Sequence, residues 1–220
     1  MTTISRRPPV QPGEPAPDFK LPSVHQDGEI ALADYQGRSL FLAIFLGLWC
    51  PFCRRNLAHL GETRGKLIDR GIETLAVVAT ELDNARLYFK YRPARVPLVA
   101  DPALVTHRAY GLPHPELDQS TMELLAATRI NPTGELPAPV PATEIGAILD
   151  RVEGYQRTEV DAKDMATQWP TLRAQFLLDG NRIVRWANIE CANEGLAGIG
   201  KFPSTGEVLA AAQQLGLAAS

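Results

Sequence analysis

Residues 40 to 57, Leu-Phe-Leu-Ala-Ile-Phe-Leu-Gly-Leu-Trp-Cys-Pro-Phe-Cys-Arg-Arg-Asn-Leu, join an unbroken apolar run to two cysteines spaced C-x-x-C. The run from Leu40 to Leu46, bounded by Gly37 and Gly47, is too short to cross a bilayer but fits a strand buried on both faces of a parallel sheet. The cysteines then fall where this strand ends and a helix begins. Pro51 suits the first helical turn, since its missing N–H would have no intrahelical partner there and its φ is already helical. Cys50 is therefore expected at or just before a helix N-terminus, where free N–H groups and the macrodipole favour the thiolate, the reactive form of the sulfur. Cys53, about one turn later, lies on the same side and can close a small disulfide ring with Cys50.

The spacing alone admits other readings. Half of a zinc site would need a second Cys or His pair at ligand spacing, but His25, His59, His107 and His114 are scattered and Cys191 stands alone. Two inert cysteines would need no particular position. A strand before the pair and a Pro-started helix after it are what dithiol redox chemistry requires, so that reading is preferred, with no metal and no cofactor expected.

A chain of 220 residues with 45% hydrophobic and 21% charged residues suits one domain with room for an insertion. A net charge of −3 and a pI near 5.8 provide no basic field for nucleic acid or an anionic membrane. The sequence opens without a charged segment leading into an apolar one, and an odd, low count of cysteines argues against a structural disulfide framework. A reducing cytoplasmic setting is the expectation.

Residues 1 to 15, with Pro8, Pro9, Pro12 and Pro15, are expected to be a flexible extended arm, and residues 16 to 220 the domain. Phe19, Leu21, Ile30 and Leu32 around Gln26-Asp27-Gly28 signal a hairpin with Asp-Gly as its turn. After the cysteines a helix runs to about Arg70, before Gly71. Ile72 to Ala79 is a second buried strand, Asp83 is placed to cap a helix through Tyr91, and Val96 to Val99 make a short third strand. Asp101-Pro102 opens a helix ending at Gly111. This β-α-β-α-β-α order implies a mostly parallel or mixed sheet with helices on both faces. Residues 113 to 170 break the rhythm with Pro113, Pro115, Pro132, Pro137, Pro139 and Pro141, yet carry a helical stripe of Ile145, Ile148, Leu149 and Val152, and so read as a helical insertion. Ala174 to Leu178 and Ile183 to Ile189 form an edge hairpin, and a last helix is capped at Ser204 or Thr205 and stopped at Gly216.

This order resembles the thioredoxin-like fold, and more narrowly the peroxiredoxin-like alkyl hydroperoxide reductase C/thiol-specific antioxidant (redoxin) family. Pro-Gly-Glu-Pro-Ala-Pro-Asp-Phe at 12 to 19 is similar to the family's G-x-x-A-P-x-F, and Val-Pro-Leu-Val-Ala-Asp-Pro at 96 to 102 with Arg108-Ala-Tyr-Gly111 to its F-P-x-L-x-D and A-x-x-Y-G. Arg173-Ala-Gln-Phe-Leu-Leu-Asp179 with Arg185 resembles its R-x-x-F-I-I-D-x-x-G-x-I-R. The resemblance implies that Arg173 lies beside the reactive sulfur, where a permanent charge favours the thiolate. Three positions depart from these patterns. In P-x-x-x-[TS]-x-x-C the proline and hydroxyl positions fall on Ala43 and Gly47, and Pro170 sits out of line with the cis-proline of thioredoxins.

The combined expectation is a thiol-disulfide oxidoreductase in which Cys50 attacks, Cys53 resolves, and Trp49, Pro51 and Phe52 form an apolar collar for an extended peptide. The alternatives are a thiol peroxidase with Cys50 peroxidatic and an antioxidant role, and a non-enzymatic metal- or protein-binding module. Partners expected are a thioredoxin-type protein or low-molecular-weight thiol as reductant and a disulfide or peroxide as substrate. Neither nucleic acid nor membrane is expected. Cys191 reads as a small buried hydrophobe, Arg54 and Arg55 as a solvated helix face, and the insertion stripe as covered by the domain or by a second copy in a homodimer.

Overall fold

The computed structural model describes residues 7 to 218, and the side chains of residues 7 to 215. The strands and helices follow in chain order: β1 (Lys20–Pro22), β2 (Glu29–Ala31), β3 (Ser39–Phe45), α1 (Pro51–Ile68), β4 (Ile72–Val78), α2 (Leu82–Tyr91), β5 (Leu98–Ala100) and α3 (Val105–Ala109). Then come α4 (Gln119–Ala127), β6 (Arg129–Ile130), β7 (Val140–Pro141), α5 (Ile145–Glu153), α6 (Glu159–Gln168), β8 (Ala174–Leu178), β9 (Val184–Ile189) and α7 (Thr205–Ala218). The central sheet has the order β5-β4-β3-β8-β9, in which β5, β4 and β3 run parallel while β8 and β9 are antiparallel. It is thus the mixed sheet anticipated from the chain order.

Strand β3 occupies the centre because both of its faces can be buried. Phe41, Ala43 and Phe45 enter one core with Leu57, Leu60 and Leu67 of α1, Phe89 of α2 and Val208 of α7. The alternate residues Leu40, Leu42 and Ile44 enter a second core with Leu21, Leu32, Tyr110 and Phe176. This period-two division explains why no polar residue interrupts the run. One end of β3 is thereby fixed between two cores, and the segment that leaves it carries the cysteines.

Several local expectations change. The β1–β2 hairpin pairs Leu21 with Ile30, but its loop spans Ser23 to Gly28, with Gly28 at φ +98°, so Asp27-Gly28 ends a longer loop and is not a two-residue turn. In α2, Asp83 lies inside the first turn and Glu81 stands at the cap without a side-chain bond. The helix after Asp101 shortens to one turn, with the Asp101 carboxylate accepting from the Val105 and Thr106 N–H groups at 2.9 and 2.8 Å. Helix α7 continues past Gly216 to Ala218, because one glycine in a helical run lowers stability without ending the hydrogen-bond ladder. Its start is as expected, with Ser204 and Glu207 bonded reciprocally.

The arm also differs from its expectation. Residues 1 to 6 lie outside the described residues, while residues 7 to 15 are extended but held: Val10 is fully buried and its N–H donates to Tyr110 O at 3.1 Å, and the Gly13 N–H donates to Val184 O at 2.8 Å. An extended segment lacks its own hydrogen bonds, and here the domain supplies them.

Candidate active site

Cys50 is the N-cap of α1, with extended backbone (φ −82°, ψ 110°) and Pro51 at the first helical position. Its sulfur accepts from the Cys53 N–H at 3.3 Å, and the Cys53 thiol lies 2.7 Å from it. All three cysteines are free thiols. The loop from β3 is immobilised by bonds from distant elements. The Gly47 N–H and the Trp49 indole N–H both donate to Gln168 Oε1 at 2.7 Å, the Leu48 N–H donates to Thr80 Oγ1 at 3.0 Å, and Gln168 Nε2 donates to Ala79 O. A Cβ added at Gly47 would lie 2.8 Å from the Trp49 ring and 2.9 Å from Gln168 Oε1. A hydroxyl-bearing residue at position 47 therefore requires that loop to shift.

Arg173 and Glu190 make the other wall. The Ala174–Ile189 register of the β8–β9 hairpin sets the two side by side, and Glu190 accepts from the Arg173 N–H and Nε at 3.1 Å and from Nη2. It also accepts from the Gly200 N–H at 2.8 Å. Arg173 is only 2% exposed, and its Nη1 has no hydrogen-bond partner. Burial pushes the Cys50 thiol up, but the Cys53 thiol hydrogen bond, the Arg173 charge and the Cys53 N–H outweigh it and leave Cys50 below its ordinary value, with Glu190 opposing. Cys53 goes the other way: burial, its bond to Cys50 and the Cys50 charge hold it well above the usual thiol range. The two sulfurs are thus differentiated into a thiol below its ordinary value and a proton-bearing partner.

The insertion roofs this site. Helices α4, α5 and α6 enclose a mostly apolar cavity of about 950 Å³ whose lining includes Cys50, Trp49, Pro51, Phe52, Arg173, Glu190 and Cys191. Trp49 and Pro51 are buried and Phe52 half-buried, and all three line the cavity beneath the insertion. Ile145 and Leu149 are buried with Ile130 in a small core that packs on Phe52, while Val152 remains exposed. Three of the four stripe residues are thus at least half-buried within the chain.

Arg54 and Arg55 are not a solvated face. Arg54 is buried, and it donates to Glu153 (3.0 Å from Nε), Asp150 (2.7 Å from Nη2) and Leu48 O (2.6 Å from Nη1), with its guanidinium 3.7 Å from the Tyr155 ring centroid. Arg55 bonds Glu135 at 2.7 Å, Glu153 at 3.1 Å and Leu149 O at 3.0 Å. The two residues after Cys53 therefore fasten the insertion to α1. Nothing local marks this, since the partners lie 80 to 99 residues away.

Two further observations concern single residues. The Trp169–Pro170 peptide is cis, and Pro170 lines the same cavity as Cys50. Cys191 lies beyond the end of β9 at φ +64°, only half-buried, on the cavity wall. Burial first, then Glu190, pushes its thiol up to about 12, so it is protonated at neutral pH. Glu190, Gln168 and Thr80 were not anticipated. Even for Glu190 the count from the turn misleads: Leu178 pairs with Val184, which would set residue 189 opposite Arg173, and the register shift between Leu177 and Leu178 brings Glu190 there instead.

Asp164 of α6 yields a stability test of the lid. Burial, then Asp161, pushes its carboxyl up to about 6 from 3.8. A group that holds its proton more tightly when folded contributes stability fully present below pH 3.8 and lost as pH rises through about 6. Asp164→Asn should therefore melt higher than the parent at pH 7.5 and alike at pH 4, read by thermal denaturation at both pH values. A lower melting temperature at pH 7.5 would contradict the assignment.

The model of the AhpC/TSA family matches residues 12–187. The thiol-disulfide oxidoreductase ResA of Bacillus thuringiensis subsp. konkukian is 29% identical over 101 residues, covering 46% of this chain and 57% of that protein. Peroxiredoxin tpx1 of Schizosaccharomyces pombe is 30% identical over 113 residues, covering 47% and 58%. The chain thus matches less than two thirds of the length of these relatives. The reduced 2-Cys peroxiredoxin of Plasmodium vivax aligns over 94% of this chain and 97% of that one with a TM-score of 0.58 at 15% identity. Peroxidoxin BcpB of Mycobacterium tuberculosis covers 94% and 97% with a TM-score of 0.56 at 12%. At these identities the two structures speak for the fold alone. With the dithiol at the N-terminus of α1, the mixed five-stranded sheet and a family match over most of its length, the chain belongs to the AhpC/TSA family.

Proposed function

We propose that the protein is a thiol-disulfide oxidoreductase in which Cys50 attacks a disulfide substrate and Cys53 resolves the mixed disulfide. The observation that carries this reading is the Cys50 sulfur at the cap of α1, accepting from the Cys53 N–H, with the Cys53 thiol 2.7 Å away. The low-pKa member can begin exchange, and the protonated member is already in contact for the second step. Arg173 favours the Cys50 thiolate by its charge, and Trp49, Pro51 and Phe52 offer the substrate an apolar surface. ResA, a thiol-disulfide oxidoreductase by name, supports the same chemistry. The oxidised dithiol would be a Cys50–Cys53 disulfide, returned to the reduced state by a thioredoxin-type protein or a small thiol in a cytoplasmic setting. The intramolecular cover of Ile145 and Leu149 favours a lid over a homodimer built on that stripe.

A second reading, a thiol peroxidase, is favoured by the unpartnered Arg173 Nη1 and by the peroxiredoxin relatives. It requires donors that stabilise the stretching O–O bond. Gly47 offers no hydroxyl, and the N–H groups of residues 47, 48 and 50 are already bonded to Gln168, Thr80 and Gly47 O. With dithiothreitol as reductant, the protein should reduce a disulfide with higher catalytic efficiency than it consumes hydrogen peroxide. Stopped-flow oxidation of Cys50 by peroxide far faster than that of a free thiolate, with negligible disulfide reduction, would make the peroxidase reading primary.

A further inference from the structure

Cys50 is 3% exposed and lines the cavity beneath the insertion. The wall is apolar over a wide area, with Met122 and Leu125 from α4, Ile145 from α5, and Leu172, Leu196 and Ile199 from the segments around β8 and α7. Its volume of about 950 Å³ falls at the upper end of the range of small-molecule sites. Most charges on the wall are matched: Asp150 is paired with Arg54 and Arg157, and Glu190 with Arg173. Two cationic donors remain. Arg173 Nη1 is buried without a partner, and Arg151 makes no ion pair among the described residues. A buried N–H left unpaired costs free energy, which an acceptor on a bound molecule would recover.

We infer that the substrate is a small disulfide with an apolar body and a carboxylate, which enters the cavity whole with its body against the insertion wall and its carboxylate on the Arg173 and Arg151 donors. This rests on the oxidoreductase reading above and specifies its substrate class. The Cys50 thiolate attacks one sulfur of R–S–S–R, forming Cys50–S–S–R and releasing one thiolate. Cys53 then gives up its proton and attacks the Cys50 sulfur, releasing the second R–S group and leaving the Cys50–Cys53 disulfide. Two electrons pass from the dithiol to the substrate, and the products are one thiol and one thiolate in rapid proton exchange with water. An external dithiol restores the reduced pair.

The test uses the full chain and 4,4′-dithiodibenzoate, an aryl disulfide with two carboxylates, with dithiothreitol as reductant. A Cβ added at Gly146, on the cavity wall, meets only Arg157 Nη2 at 3.7 Å, so Gly146→Leu can fill the cavity without a clash at its base. It should raise KM for the aryl disulfide tenfold or more while alkylation of Cys50 by iodoacetamide stays within twofold. Arg151→Gln should raise KM for this disulfide and leave that for uncharged diphenyl disulfide unchanged. Oxidised insulin should be reduced with at least tenfold lower catalytic efficiency than the aryl disulfide. A Gly146→Leu variant with unchanged KM, or insulin as the better substrate, overturns the inference. The two readings separate in Cys50→Ser: binding of the thioether analogue of the aryl disulfide, with no disulfide turnover by the parent, sinks the chemistry and leaves the cavity assignment. Insulin turnover without analogue binding does the reverse.

Discussion

Cys53→Ser should stall at a mixed disulfide on Cys50, and Cys50→Ser should lose disulfide reductase turnover by about 10³-fold or more, the scale expected when a nucleophile is removed. The asymmetry follows from the helix cap. Only Cys50 receives the Cys53 N–H and S–H hydrogen bonds and ends below the ordinary thiol range, whereas burial and the neighbouring charge keep Cys53 protonated until its partner has reacted. Limiting alkylation near neutral pH, followed by mass spectrometry, should label Cys50 first, with a rate that rises with pH through a midpoint below that of an ordinary thiol. Cys191 shares the cavity but is protonated at neutral pH, so Cys191→Ser should keep most of the turnover. First labelling of Cys53, or Cys50→Ser activity within tenfold of the parent, would reverse the assignment.

Arg54→Leu should lower stability by about 3 kcal/mol, the range for breaking a buried ion pair from one side. For a chain of this length that corresponds to a fall in melting temperature of about 6–12 °C. The substitution leaves Leu48 O without its 2.6 Å donor, Asp150 with Arg157 alone and Glu153 with Arg55 alone. Because the lost contacts tie α5 to α1, the loosened lid should also expose Cys50, read as faster alkylation in the variant. Arg54→Lys keeps the charge but not the planar fork and should fall between the two. A melting temperature within a degree or two of the parent, with unchanged alkylation, would show that the insertion is held by its apolar contacts on Phe52 and not by this network.

The sequence by itself determined what depends on near neighbours in the chain. The apolar run from Leu40 to Leu46 specified a strand buried on both faces, Pro51 fixed the start of α1, and the C-x-x-C spacing brought Cys53 onto Cys50, because helix geometry alone sets the distance between residues three apart. Arg173 was legible through its family motif. Tertiary structure decided what depends on elements far apart in sequence. Gln168 reaches Gly47 and Trp49 across about 120 residues, and Arg54 reaches Asp150 and Glu153 across almost 100. A lone Gln near a helix end and two arginines on a helix carry no local pattern that distinguishes a buried partner from solvent. The same holds for access to the sulfur. A collar at the end of β3 can be inferred from its own residues, but whether it faces open water or a roofed cavity depends on where residues 113 to 170 pack. That is settled by long-range burial and charge pairing and leaves no periodicity in the segment that carries the cysteines.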